Sequence, residues 1–295
     1  MINKRTAMMG AATLCSALAI GLFMQKTAEH PQRGATASAP VSVAADDAPL
    51  EIEAISLTAA TPDTTVPEPA RQDPAAPCDM SVEAIATPMA EVRLTVLSLC
   101  RPEERLTIHH NGMMFSTRLD ATGALTVQVP ALSETAVFIV EPQNGRGAVA
   151  TASVPDLDLV NRVVLQWGGN SGFELHAREF GAAYGSAGHV WHGSDLTSGR
   201  GSVVQLGDEN QLAPRLAEVY SVPRLGGSKT GAIDLTVETE VTAINCGRDI
   251  SAQTLELRDG TLRTRDLTLA MPDCAATGDF LVLNNLLETL KIAGN

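Results

Sequence analysis

The sequence predicts an all-β protein carried behind a hydrophobic N-terminal segment. Three observations lead there: apolar runs of five to eight residues recur after Cys78, turn signals containing Gly and Asn separate them, and amphipathic helical periods are scarce. With aromatic residues at 3% and a formal net charge of −13, any core must be built from Val, Leu, Ile and Ala. An acidic chain without a basic stripe repels polyphosphate, so no nucleic-acid partner is expected.

Lys4 and Arg5 precede an uncharged run of 18 residues, Ala7 to Met24. As a helix this run is about 27 Å long, enough to cross a hydrocarbon core. The basic flank favours a cytoplasmic start and export of the remaining chain. A cleaved signal requires a small-x-small site soon after the apolar run, but Phe23, Met24, Gln25 and Lys26 stand there, and Ala35, Ala37 and Ala39 lie too far downstream. Residues 1–26 are therefore read as a retained transmembrane anchor, with a cleaved signal segment as the alternative. The expected location is a single-pass inner-membrane protein with the bulk of the chain in the periplasm.

Residues 27–77 read as a disordered acidic tether rich in Pro and Ala. No Phe, Tyr or Trp occurs between Gln25 and Pro77, and eight of the sixteen prolines fall there. Such a composition buries too little apolar surface to offset the entropy of ordering.

Residues 78–157 are expected to form a small antiparallel β-sandwich. Its strands are Val92 to Leu99, Leu106 to His110, Met113 to Leu119, Leu125 to Val129, Ala136 to Val140 and Ala148 to Val154. Asn111-Gly112 is the preferred two-residue hairpin turn, and Asp120 to Gly123 forms another turn. A second β-sandwich is expected over residues 158–295. Its strands are Arg162 to Trp167, Gly172 to Arg178, Gly188 to His192, Ser202 to Leu206, Leu216 to Val222, Ala232 to Ala243, Ala252 to Arg258, Leu262 to Met271 and Phe280 to Ile292. The last of these also fits helical spacing through Leu281, Leu283, Leu286, Leu287 and Leu290.

Cys15 lies within the hydrophobic segment, which leaves Cys78, Cys100, Cys246 and Cys274 in the exported part. An even number in an oxidising compartment indicates disulfides. Proximity favours Cys78 with Cys100 and Cys246 with Cys274. The rival reading, a zinc site, lacks any Cys-x-x-Cys spacing.

Particular residues carry three resemblances. Thr117-Arg-Leu-Asp120 with Gly123-Ala-Leu-Thr-Val-Gln-Val-Pro130 resembles small transthyretin-like or carboxypeptidase-regulatory-like sandwiches, which implies fold alone. Arg162-Val-Val-Leu-Gln-Trp167, Phe173-Glu-Leu-His-Ala177 and Gly231-Ala-Ile-Asp-Leu-Thr-Val237 resemble an exported β-sandwich module of unknown function. That module carries an Asp-Leu-Asp-Leu-His strand, whose acidic positions are here Gly172 or Phe173 and Glu174. Ile108-His-His-Asn-Gly-Met-Met-Phe115, His176-Ala-Arg-Glu-Phe-Gly-Ala182 and Leu281-Val-Leu-Asn-Asn-Leu286 resemble a group of alphaproteobacterial single-anchor envelope proteins sometimes labelled translocase. The chain has no phosphate-binding loop of the Gly-x-x-x-x-Gly-Lys-Ser/Thr type and one membrane segment, so no translocation motor is expected.

Glu174, His176, His189 and His192 form the densest cluster of potential metal ligands. Residues two apart on a strand share a face, so Glu174 and His176 can act together. His189 and His192 are an odd number apart and would face opposite ways on an extended strand. The competing reading is that all four line a sandwich edge. His109 and His110 flank a turn on opposite faces, and Gly207-Asp-Glu-Asn210 reads as a solvated turn rather than a calcium loop. Of Met113, Met114 and Phe115, at least one must face away from the core, onto the other domain or a partner. No Gly-x-Ser-x-Gly elbow occurs, and no catalytic residue or cofactor is expected. The expected function is a non-catalytic, membrane-tethered interaction module with an envelope protein partner. The alternative is a periplasmic metal-binding protein or metal-dependent enzyme.

Overall fold

The computed structural model describes residues 79–195, 199–225 and 230–292, all within one compact unit. The expected anchor, the tether and Cys78 lie outside the described residues. No helix among the described residues is long and apolar enough to cross a membrane.

Among the described residues, seventeen strands and two 3-10 turns succeed one another. The first seven strands are β1 (Ser81–Thr87), β2 (Glu91–Leu97), β3 (Arg105–His110), β4 (Met113–Arg118), β5 (Ala124–Pro130), β6 (Thr135–Pro142) and β7 (Ala148–Ser153). They form two antiparallel sheets, ordered β1-β2-β5 and β4-β3-β6-β7. Strand alternation decides what each buries: Val92, Leu94 and Val96 of β2 and Ala136, Phe138 and Val140 of β6 point inward. The Asn111-Gly112 turn joins β3 to β4 with φ values of 47° and 91°, the left-handed conformations that Asn and Gly tolerate.

The two adjacent histidines do face opposite ways. His110 is 1% exposed and stacks on Phe138, while His109 pairs with Glu141 at 3.1 Å on the outer face. His110 Nδ1 donates to the Val137 carbonyl and its Nε2 accepts from the Leu132 amide. Burial holds its pKa down and the ring neutral.

The later strands are β8 (Val160–Gly168), β9 (Phe173–Glu179), β10 (His189–Val190), β11 (Ser202–Leu206), β12 (Arg215–Pro223) and β13 (Gly231–Glu240). They end with β14 (Asp249–Arg258), β15 (Thr261–Ala270), β16 (Phe280–Leu283) and β17 (Leu290–Ile292). One sheet runs β11-β12-β8-β14-β15, and the other β10-β9-β13-β16 with β17 also on β13. The expected terminal segment Phe280 to Ile292 is thus two short strands. They pair with opposite ends of β13 and are separated by a turn in which Asn285 has a φ of 64°.

The β8 sheet is a middle layer buried on both faces. Val163, Leu165 and Trp167 join the core toward β9 and β13, whereas Val160 and Val164 join the core of the N-terminal sheets. Leu206, Ala217, Val219, Leu255 and Leu257 join that same N-terminal cluster, so its core draws on both sides of residue 157. Two-sided burial puts apolar residues on both faces of β8 and β12, and the polar residues among them, Arg162, Gln166 and Glu218, are each hydrogen-bonded. Gln166 fastens the contact, accepting from the Met114 amide at 2.7 Å and donating to the Gly112 carbonyl at 2.9 Å. The outward side of the Met113 to Phe115 run therefore meets the neighbouring sheet.

Arg162 anchors this junction. Its side chain, 0% exposed, leaves β8 toward the N-terminal sheets, and all five of its N–H donors are used. Nε donates to Ser221 Oγ, Nη1 to the Ala90 and Ala131 carbonyls, and Nη2 to the Met89 carbonyl and Glu91 Oε1. Met89 and Ala90 sit at φ 65° and 54°, in the left-handed region that costs a non-glycine residue about 1 kcal/mol. The guanidinium compensates by gathering both of their carbonyls. Burial lowers the Arg162 pKa to about 10, which leaves it charged, while desolvation pushes the Glu91 carboxyl up despite the cation beside it.

Cys246 and Cys274 form a disulfide that closes 28 residues between β13 and β16. Cys100 is also disulfide-bonded, and its expected mate Cys78 lies outside the described residues.

Replacing Arg162 with Leu takes the guanidinium donors from the Met89 and Ala131 carbonyls, leaves the Ala90 carbonyl with the Ala131 amide alone and strips Glu91 of its cation, and should cost about 3–5 kcal/mol of unfolding free energy in urea titrations. Arg162→Lys should recover only part of that, because an ammonium has three donors and no planar fork. A loss below about 0.5 kcal/mol, the range of neutral surface substitutions, would refute the role.

Candidate functional site: a histidine relay beside an acidic cleft

Alternation along β9 sends Phe173, Leu175 and Ala177 into the core and Glu174, His176 and Arg178 to the other face. β13 lies beside β9 in a register that sets Glu238 opposite Glu174 and Thr236 opposite His176. β10 pairs on the far side, His189 with Arg178. Between β9 and β10 the chain carries Tyr184 and Gly185, and Trp191 comes directly after β10. Trp191 stacks on His176 with ring centroids 5.3 Å apart and an 8° interplanar angle. His176, His189, Thr236 and Glu238 are consequently buried, although they lie on the outward face of a sheet.

Three of the four sequence-predicted residues meet in one directional chain. The Gly185 amide donates to His189 Nδ1 at 3.0 Å, so the proton of a neutral His189 resides on Nε2. That Nε2 lies 2.9 Å from His176 Nδ1, which must accept, and His176 Nε2 donates to Glu174 Oε2 at 3.1 Å. One backbone amide thereby sets the tautomers of two imidazoles. Burial lowers the His189 pKa, and the neighbouring His176 adds to the effect, which keeps His189 neutral. Glu238 stands behind the chain, 3.9 Å from His176 Nε2, and accepts from Tyr184 Oη at 2.6 Å and Thr236 Oγ1 at 3.0 Å.

Both imidazole lone pairs face N–H groups, so a metal ion at this position must displace a hydrogen bond. Among the described residues no group of three or more His, Cys, Asp or Glu side chains is arranged to hold a metal ion. His192 stands apart from the chain, on the wall of an adjoining cleft.

That cleft, about 330 Å³, opens where β9 and β12 face each other across the core. Trp167, Phe173, Leu216 and Ile244 give it an apolar lining, and Glu174, Glu209 and Glu218 supply carboxyl groups. Glu218 is 3% exposed and accepts from the Leu175 amide at 2.6 Å. Burial raises its pKa to about 8; the amide bond opposes this rise and the charge of Glu174 adds to it. At neutral pH Glu218 is thus a protonated donor beside the more exposed Glu174 carboxylate. The cleft can receive a ligand with an apolar body, an acceptor for Glu218 and a donor for Glu174.

Sequence reading missed Glu218, Tyr184, Trp191 and Glu238. Only Glu218 had a signal, a lone acid inside the apolar strand Leu216-Ala-Glu-Val-Tyr-Ser-Val222. Glu179 is a separate, structural carboxylate. It accepts from the Arg200 and Gly201 amides and from Tyr220 Oη, and a Cβ at Gly201 would lie 2.6 Å from the Tyr220 ring. Gly207 to Asn210 is a turn in which Asp208 accepts from the Asn210 amide and pairs with Arg118.

No protein-family model matches the chain, and no curated protein matches it in sequence. Among solved structures it is similar to one described as a Ca2+-stabilized adhesin that helps an Antarctic bacterium reach out and bind ice. The likeness is 12% in sequence with a TM-score of 0.20, covering 73% of this chain and 72% of that one.

The proton on Glu218 sets a pH dependence. Its folded pKa lies above the ordinary value of 4.5, so the native state binds the extra proton and stability falls as pH rises from about 4.5 to about 8. Glu218→Gln keeps an acceptor for Leu175 and removes the titration. The difference in unfolding free energy, variant minus wild type, should therefore grow across that window; a pH-independent difference would contradict the assignment.

Proposed function

We propose that this chain is a non-catalytic, membrane-tethered module of a bacterial cell envelope that holds its partner through the Glu174–Glu218 cleft. The observation that carries the proposal is the cleft itself, which pairs an apolar lining with the buried carboxyl of Glu218 and the more exposed one of Glu174. The sequence adds the anchor and tether, which would place the domains in the periplasm at the reach of a flexible linker. A role in export or envelope assembly is a special case of this reading and rests on the translocase-labelled resemblance alone.

The second reading is a metal-binding protein or metal-dependent enzyme. It is favoured by the convergence of Glu174, His176 and His189, and it requires the His176–His189 bond to open.

One purification separates the two. The full chain is extracted from membranes carrying a photo-crosslinking residue at Ile244 on the cleft wall, and its metal content is measured by mass spectrometry. The proposal predicts a discrete adduct, lost in Glu174→Ala, and metal well below one ion per chain. No cleft adduct, or one metal ion per chain that disappears in a His176→Ala, His189→Ala double variant, would overturn it.

A further inference from the structure

The opposite end of the same sandwich holds a second cleft, and its chemistry is inverted. Asn161 and Trp167 point to the same side of β8, and at ~3.3 Å per residue the two ends lie about 20 Å apart. The Asn161 end opens into a cavity of about 600 Å³. Arg224, Arg258, Arg263 and Lys291 line it against two carboxylates, Asp259 and Glu288, a local excess of cations in a chain of net charge −13. Arg258 reaches Glu256 at 2.5 Å and Glu288 at 3.6 Å, Arg263 reaches Glu288 at 3.5 Å, and Arg224 pairs with Asp259 at 2.6 Å. Lys291 has no ion pair among the described residues.

Asn161 marks this as more than a solvated charge network. It is 8% exposed, lines the cavity, and its amide oxygen has no hydrogen-bond partner among the described residues. A buried acceptor left unpaired costs about 1–3 kcal/mol. Arg258 Nε, on the same wall, is a buried donor likewise without a partner. Turning the Asn161 amide over would only exchange an orphan acceptor for an orphan donor. The cavity thus presents cations for an anion and Asp259 and Glu288 as acceptors for hydroxyl groups, with Asn161 Oδ1 an unmet acceptor inside its wall, closed to solvent until a ligand displaces its cover. Among the described residues no aromatic ring lines it for an apolar body to stack upon.

We infer that this cleft binds a hydroxylated phosphate ester of the glycerol phosphate type. Guanidinium groups match phosphate oxygens in geometry and charge. The hydroxyls of the ester donate to Asn161 and the carboxylates, which bare phosphate cannot do at the same distance from the cations. The chemistry is shared by free glycerol phosphate and by the headgroup of a glycerol-bearing phospholipid.

Calorimetric titration of the full chain in detergent tests the site with three probes: inorganic phosphate, glycerol 3-phosphate and the soluble headgroup diester glycerophosphoglycerol. The esters should bind at least about tenfold more tightly than inorganic phosphate. Arg263→Ala with Lys291→Ala, both on the surface, should weaken the esters about tenfold or more. Asn161→Leu should abolish the preference over inorganic phosphate without changing inorganic phosphate affinity. A stronger diester identifies a lipid headgroup as the source, and a stronger monoester a free phosphate ester; either supports the site. Equal binding of all three probes, no measurable binding, or affinities unchanged in the double variant would overturn it.

Discussion

The structure depends on one buried cation. Arg162 leaves a strand of the middle sheet, crosses into the N-terminal sandwich and finds an acceptor for each of its five N–H groups. A lone guanidinium in such a place would be costly, since removing an ion from water takes several kcal/mol that only complete pairing returns. Pairing here is complete because the β1–β2 loop bends through two left-handed residues, Met89 and Ala90, and so turns its carbonyls toward the charge. The strained loop and the buried charge each make the other tolerable. Neither is explicable alone.

The position of the site is a consequence of this joint. With Arg162 and Gln166 committed to the N-terminal sheets, alternation commits Asn161, Val163, Leu165 and Trp167 to the other face. Trp167 then lines the acidic cleft and Asn161 the basic one, at opposite ends of a single core. Within the acidic end, order again comes from the backbone: the Gly185 amide dictates the proton positions on His189 and His176, and through them the bond to Glu174. Recognition built on such a chain is sensitive to direction as well as to composition, because reversing either imidazole would set two donors or two acceptors face to face.

Much of the fold was legible from alternation and turn chemistry, which are local. Val92, Leu94 and Val96 announce their strand by period, and Asn111-Gly112 announces its hairpin. β1 was not legible: Ser81-Val-Glu-Ala-Ile-Ala-Thr87 is a half-exposed strand whose small residues give little contrast. The sharing of one cluster across residue 157 was also hidden. The strand at the junction, Val160 to Gly168, mixes apolar residues with Asn161, Arg162 and Gln166, and its local pattern does not tell which sheet lies on either face. Arg162 had no signal of its own, since a lone Arg in a strand is most often a solvated one. At the site, Glu174 and His176 were paired by period, but the approach of His189 depends on a loop and on β10, only two residues long. His192 was grouped with them by proximity in sequence, and the turn after Trp191 carries it to the cleft wall instead.

If Arg162 welds the two parts into one cooperative body, their deepest amides must open together. Native-state hydrogen exchange measured under conditions where opening is at equilibrium gives that free energy residue by residue. The account predicts one value for the amides of Leu94 and Val96 in the N-terminal sheet and of Val219 and Leu255 in the middle sheet. Protection of the N-terminal pair lower by about 2 kcal/mol or more, with the middle sheet still closed, would show two independently opening domains and contradict it.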